Sequence, residues 1–175
     1  MKTLHTLLAT LLLLALPSSG SAQEKEINAL EIAGLNFAWD STWKAKSAPS
    51  MMSALNLMTV AEEQKEVLEA KFYYFKGGGG GVDANVARWA GMFEGTPEKH
   101  EETLADGKVT LYTFKGTFMV GARGTAKVAT PDYGMLVAIV NGDNGPVFVR
   151  IDGPVMRLDA LRDSFKKIVT NPFNQ

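Results

Sequence analysis

Residues 133–152 read Tyr133-Gly134-Met135-Leu136-Val137-Ala138-Ile139-Val140-Asn141-Gly142-Asp143-Asn144-Gly145-Pro146-Val147-Phe148-Val149-Arg150-Ile151-Asp152. Two apolar runs, Tyr133 to Val140 and Pro146 to Asp152, flank the cluster Asn141 to Gly145. Asn, Asp and Gly tolerate the left-handed backbone of a tight turn, so the stretch reads as two strands joined by a hairpin. The same pattern recurs upstream. Glu101 to Ala105 and Lys108 to Met119 flank Asp106-Gly107, and Val109, Leu111 and Thr113 alternate with Thr110, Tyr112 and Phe114. Hairpin connections make neighbouring strands antiparallel. Between the two hairpins, Gly121 to Asp132 is small, polar and punctuated by Gly and Pro, which predicts a loop of about a dozen residues.

Past Gly153-Pro154, apolar Leu158, Leu161, Phe165 and Ile168 recur at helical spacing with charges between them. This predicts an amphipathic helix, with Lys166-Lys167 near its carbonyl end complementing the helix dipole. A second helix is predicted from Val82, with Val82, Val86, Trp89 or Ala90, and Phe93 on one face, Asp83 as N-cap and Gly95-Thr96-Pro97 as its end. Three strands precede it. Leu30 to Phe37 is apolar, Met52 to Val60 is apolar on both alternating faces, and Val67 to Phe75 is rich in aromatics. Trp39-Asp40-Ser41-Thr42-Trp43 reads as a turn and Glu62 to Glu66 as a charged connection. The expected fold is α+β, a mainly antiparallel sheet packed with about two helices.

The chain has 175 residues, 18 Lys+Arg against 19 Asp+Glu, no cysteine and a mean hydropathy of -0.02. Near-neutral charge argues against a nucleic-acid partner, and the lack of cysteine excludes disulfides, thiol nucleophiles and iron–sulfur ligation. Lys2 and His5, the apolar run Leu7 to Leu16 and the small residues Pro17 to Ala22 form a secretory signal pattern, too short for a permanent membrane span. Residues 1–22 are therefore expected to be removed, residues 23–29 to be a flexible start, and residues 30–175 to form one domain without a membrane span. The predicted location is periplasmic or extracellular.

The chemistry-bearing candidates are few. Gly77, Gly78, Gly79, Gly80 and Gly81 lie between a strand and a helix start, where glycine lets a backbone approach an anion closely. No Lys-Ser/Thr follows, and Val82 takes the third glycine position of a dinucleotide fingerprint. The run thus reads chiefly as a side-chain-free connection, with anion binding as the alternative. Arg88 points either to solvent or to a carboxylate. His100, in a charged run, is alone after the signal segment and cannot build a histidine metal site. Asn141 to Gly145 lacks the carboxylate spacing of a calcium loop, and Met51, Met52 and Met58 read as core rather than copper ligands. No serine sits in G-x-S-x-G. These patterns call for no metal and no cofactor.

Trp43 with Pro49-Ser50-Met51-Met52, the block Gly77 to Asn85 with Arg88-Trp89, and the ending Gly145 to Pro154 resemble a group of uncharacterised secreted bacterial proteins. The strand–strand–helix organisation and the closing Gly-Pro plus helix with Phe165 look like the PsbP-like α/β/α sandwich. That resemblance implies a non-catalytic accessory or binding role and names no ligand. The expectation is an exported module that binds a protein or a small ligand. A localised site would comprise Gly77, Gly78, Gly79, Gly80, Gly81, Asn85 and Arg88. The alternative is a hydrolase or transferase in which Asp83, Arg88, Asp132 or Asp152 converge in a cleft.

Overall fold

The computed structural model describes residues 28–46, 53–60, 66–77, 79–121 and 126–174. In chain order the elements are β1 (Asn28–Ile32), β2 (Leu35–Trp39), β3 (Trp43–Ala45), β4 (Leu55–Thr59), β5 (Glu69–Tyr74), α1 (Val82–Ala90), β6 (Glu98–Leu104), β7 (Val109–Val120), β8 (Val128–Gly142), β9 (Gly145–Pro154) and α2 (Val155–Thr170). Seven strands form one antiparallel sheet in the order β3-β4-β5-β9-β8-β7-β6. The fold is α+β, as the hairpin pattern predicts. Both hairpins form: β8 and β9 pair down to Gly142↔Gly145, and β6 and β7 down to Leu104↔Val109.

Both faces of the central strands are buried. On one, Leu111, Leu136, Ala138, Val147 and Val149 pack beneath α2, which buries Leu158, Leu161, Phe165 and Ile168 as the spacing requires. On the other, Tyr112, Phe114, Met135, Val137, Ile139 and Phe148 pack beneath α1 through Trp89 and, just beyond it, Phe93. Strand β4 is covered on both faces, as its apolar composition predicts. Trp43 Nε1 donates to Ser164 Oγ at 2.6 Å, pinning the edge strand β3 to α2. At the opposite edge, β6 carries Glu98, Lys99, His100 and Glu101, all exposed.

The structure corrects four local readings. Leu30 to Phe37 is not one strand: the chain turns at Ala33-Gly34, and β1 and β2 form a separate antiparallel pair packed on the α2 side. Both turn residues have positive φ, 56° and 82°. The segment Val128 to Asp132, expected within a loop, belongs to β8. Its pairing with β7 slips between Phe118↔Thr130 and Gly116↔Tyr133, so β8 carries an extra residue there, and Asp132 takes φ 53°. A bulge of this kind breaks the alternation that identifies a strand and accommodates Pro131. Asp83 is not the N-cap: that position is Gly81, without a side-chain cap bond. Finally, α1 ends at Ala90 with Gly91 as its C-cap, ahead of Gly95. The expected signal segment, Met51, Met52 and most of the Glu62 to Glu66 connection lie outside the described residues.

Candidate functional site

The strand β5 ends at Tyr74, and the chain must reverse over the sheet to start α1 at Val82. Gly77, Gly79, Gly80 and Gly81 all have positive φ, between 56° and 97°. Such a backbone strains any residue with a Cβ. At Gly79 space is lacking too, since a Cβ there would lie 2.6 Å from Phe75 Cδ2. In front of Gly77, Gly80 and Gly81 there is open space. These four glycines are explained by backbone shape; Gly78 lies outside the described residues.

Asn85 organises this turn. Its side chain is almost fully buried, and Nδ2 donates to the carbonyl oxygens of Gly81 at 2.7 Å and Gly79 at 3.1 Å. A buried amide at a predicted helix face is a signal the apolar periodicity overlooks, because Asn85 sits where that pattern leaves a gap.

Fixing the start of α1 aims its next turn along the sheet and leaves a cleft of about 140 Å³ between helix and sheet. Its walls are aromatic. Tyr73 and Phe75 lie parallel within 12° with ring centroids 6.3 Å apart, and Trp89 meets Phe148 edge to face at 5.8 Å. The cross-strand pair Tyr73↔Phe148 places two of these rings side by side. Arg88 and Asn85 line the cleft from α1, Arg150 from β9, and Met92 from the turn after α1.

The two arginines differ in their bonding. Arg150 donates through Nε and Nη2 to Asp152 Oδ1 at 3.1 and 2.8 Å, and its Nη1 rests on Met92 Sδ at 3.6 Å. Its side chain is only 16% exposed. Arg88 is exposed, in the last turn of α1, and has neither a hydrogen bond nor an ion pair among the described residues. Next to Arg150 on β5, Lys71 is bound to Glu69 at 3.4 Å, and Lys46 reaches the same carboxylate at 3.0 Å. Burial pushes the Glu69 carboxyl up, but the bonds and charges of Lys46 and Lys71 outweigh it and hold its pKa below the usual 4.5.

Among the sequence candidates, the structure joins Asn85 and Arg88 in one cleft, with Gly79 and Gly81 as its frame. It does not assemble the carboxylate set. Asp152 is committed to Arg150 at the cleft margin. Asp83 lies near Tyr112, whose phenol is pushed up by burial and then by Glu101 and Asp83. Asp132 is exposed on the β8 bulge. His100 is exposed on the edge strand β6. Tyr133, stacked on Phe118, is also pushed up, by burial and then by Asp152 and Glu66. Among the described residues no cluster of three His, Asp or Glu could hold a metal ion, and no helix is long and apolar enough to cross a membrane. Arg150, Tyr73 and Phe75 are cleft residues that the sequence reading missed, because on a strand nothing local separates a lining residue from a core one.

No protein-family profile matches the chain. No curated protein matches it either. Among solved structures it is similar to cyanobacterial PsbP (CyanoP) from Synechocystis sp. PCC 6803, determined in solution. The identity is 14%, the match covers 87% of this chain and 95% of that one, and the TM-score is 0.47.

Proposed function

We propose that the protein is an exported, non-catalytic binding module whose site is the cleft between α1 and the sheet. Asn85 and Arg88 contribute to it directly, and Gly77, Gly79, Gly80 and Gly81 act as its frame. One observation carries this reading: a guanidinium without a partner among the described residues, that of Arg88, and a second, pinned one open on the same aromatic-walled cleft. A concave, largely apolar site with a few fixed polar groups is the general form of a small-ligand pocket. The lining supplies rings and guanidinium groups to hold a ligand, and no carboxylate, histidine or hydroxyl nucleophile other than the Tyr73 phenol. Export is supported by the basic start, apolar run and small-residue segment of residues 1–22.

The test is recovery of the protein from the envelope fraction of its host, followed by intact mass analysis and identification of co-purifying small molecules and proteins. A chain starting near Gln23, with a bound species that Arg88→Ala loses while its melting temperature is kept, supports the reading. A full-length cytoplasmic species overturns export. An unchanged bound set in Arg88→Ala overturns the site.

A further inference from the structure

Resting on the cleft as the binding site, we infer that its ligand is a small planar aromatic monocarboxylate. Size comes first. The cleft measures about 140 Å³, and a cavity of about 150 Å³ holds one benzene ring. The part of the occupant that the cleft encloses is therefore about the size of a single ring. Shape comes next. The Tyr73 and Phe75 rings stack parallel within 12°, and Trp89 and Phe148 meet edge to face, so the lining offers aromatic surface in two orientations. Flat aromatic surface favours offset stacking with a planar ring.

Charge fixes the remaining group. Two cations line the cleft, Arg88 and Arg150, and Arg150 is neutralised by Asp152. Arg88 alone among the lining cations has no counter-ion among the described residues, so one negative charge on the ligand balances the cleft. A planar guanidinium fork matches the two oxygens of a carboxylate. Arg150, held in place by Asp152 and Met92, presents a preorganised second donor edge and loses little freedom on binding. The ring thus lies against Tyr73, Phe75 and Trp89 while the carboxylate meets Arg88, with Arg150 beside it.

Nuclear magnetic resonance of the purified protein at pH 7 tests this with benzoate and phenylacetate as probes, against acetate, benzyl alcohol and benzylamine. Expected is a saturable shift of the Trp89 indole N–H with either aromatic acid. Each comparison compound should bind at least about tenfold more weakly, as the loss of a charge-assisted bond or of the ring contact requires. Arg88→Gln should weaken benzoate by about tenfold or more and Lys99→Gln should leave it unchanged; added salt should weaken it too. Equal affinity for benzyl alcohol, or undiminished benzoate binding by Arg88→Gln, overturns the ligand class but leaves the cleft as a site. If none of the five compounds moves the cleft resonances while the native bound species still does, the ligand class fails alone. If that species also leaves them unmoved, the cleft reading fails with it.

Discussion

The Asn85 side chain donates to the Gly81 carbonyl oxygen at 2.7 Å, and the Asn85 backbone N–H donates to the same oxygen at 3.3 Å. One acceptor therefore closes the first turn of α1 and anchors the glycine connection before it. A second side-chain bond reaches back to Gly79. Removing this amide takes away two hydrogen bonds and leaves the Gly81 carbonyl with its backbone bond alone, so Asn85→Ala should destabilise the protein by about 1–3 kcal/mol in denaturant titration. Asn85→Asp should do no better, since a carboxylate cannot donate to those carbonyls.

The glycines before it should be unequal. Gly79→Ala meets both a positive φ of 56° and the Phe75 ring, and should lower stability by about 2–4 kcal/mol. Gly80→Ala, with φ 92° and open space, faces backbone strain alone and should lose about 1–2 kcal/mol. Chemical denaturation of both variants checks the order; equal losses would mean that the Phe75 contact is unimportant.

The closing helix should be the larger reservoir of stability. Phe165 is buried between α2 and the sheet, and Phe165→Ala should cost about 3–5 kcal/mol. Ser164→Ala, by leaving the buried Trp43 indole without its acceptor, should cost about 1–3 kcal/mol. Melting curves of the two variants separate packing from hydrogen bonding at adjacent positions.

Acid sensitivity should centre on Glu69. Its pKa is lowered in the folded protein, so the folded state favours the ionised form. That contribution is complete above the unfolded value of 4.5 and disappears as pH falls through the lower folded value. Stability measured between pH 7 and pH 3 should fall off below about 4.5, more steeply than in Glu69→Gln. Parallel profiles for the two proteins would remove Glu69 as a source of the acid loss.

Much of the fold is legible where local chemistry and tertiary role coincide. Leu158, Leu161, Phe165 and Ile168 mark their helix because the buried stripe has helical period, and Asp106-Gly107 marks its hairpin because the turn itself needs those residues. The reading fails where a distant group sets the local shape. Ala33 adopts φ 56°, an unfavourable choice for a residue with a Cβ, and its carbonyl accepts a bond from Asn144 Nδ2 at 3.1 Å. That partner is 111 residues away, in the β8–β9 turn. Asp132 is similar, since its positive φ follows from the strand slip and not from its neighbours in sequence. The cleft is half legible for the same reason. Arg88 and Asn85 stand out after the glycines, whereas Arg150 becomes a cleft residue only once β5 and β9 are paired.

The exposed charges of β6 act beyond this molecule. A bare sheet edge offers unpaired N–H and C=O groups to any other extended chain. Here an incoming copy of β6 would have to lay its own Glu98, Lys99, His100 and Glu101 along these exposed positions, and setting the copies antiparallel about Glu101 brings carboxylate onto carboxylate. The strand that bounds the sheet thus carries its own protection against edge-to-edge pairing into fibres.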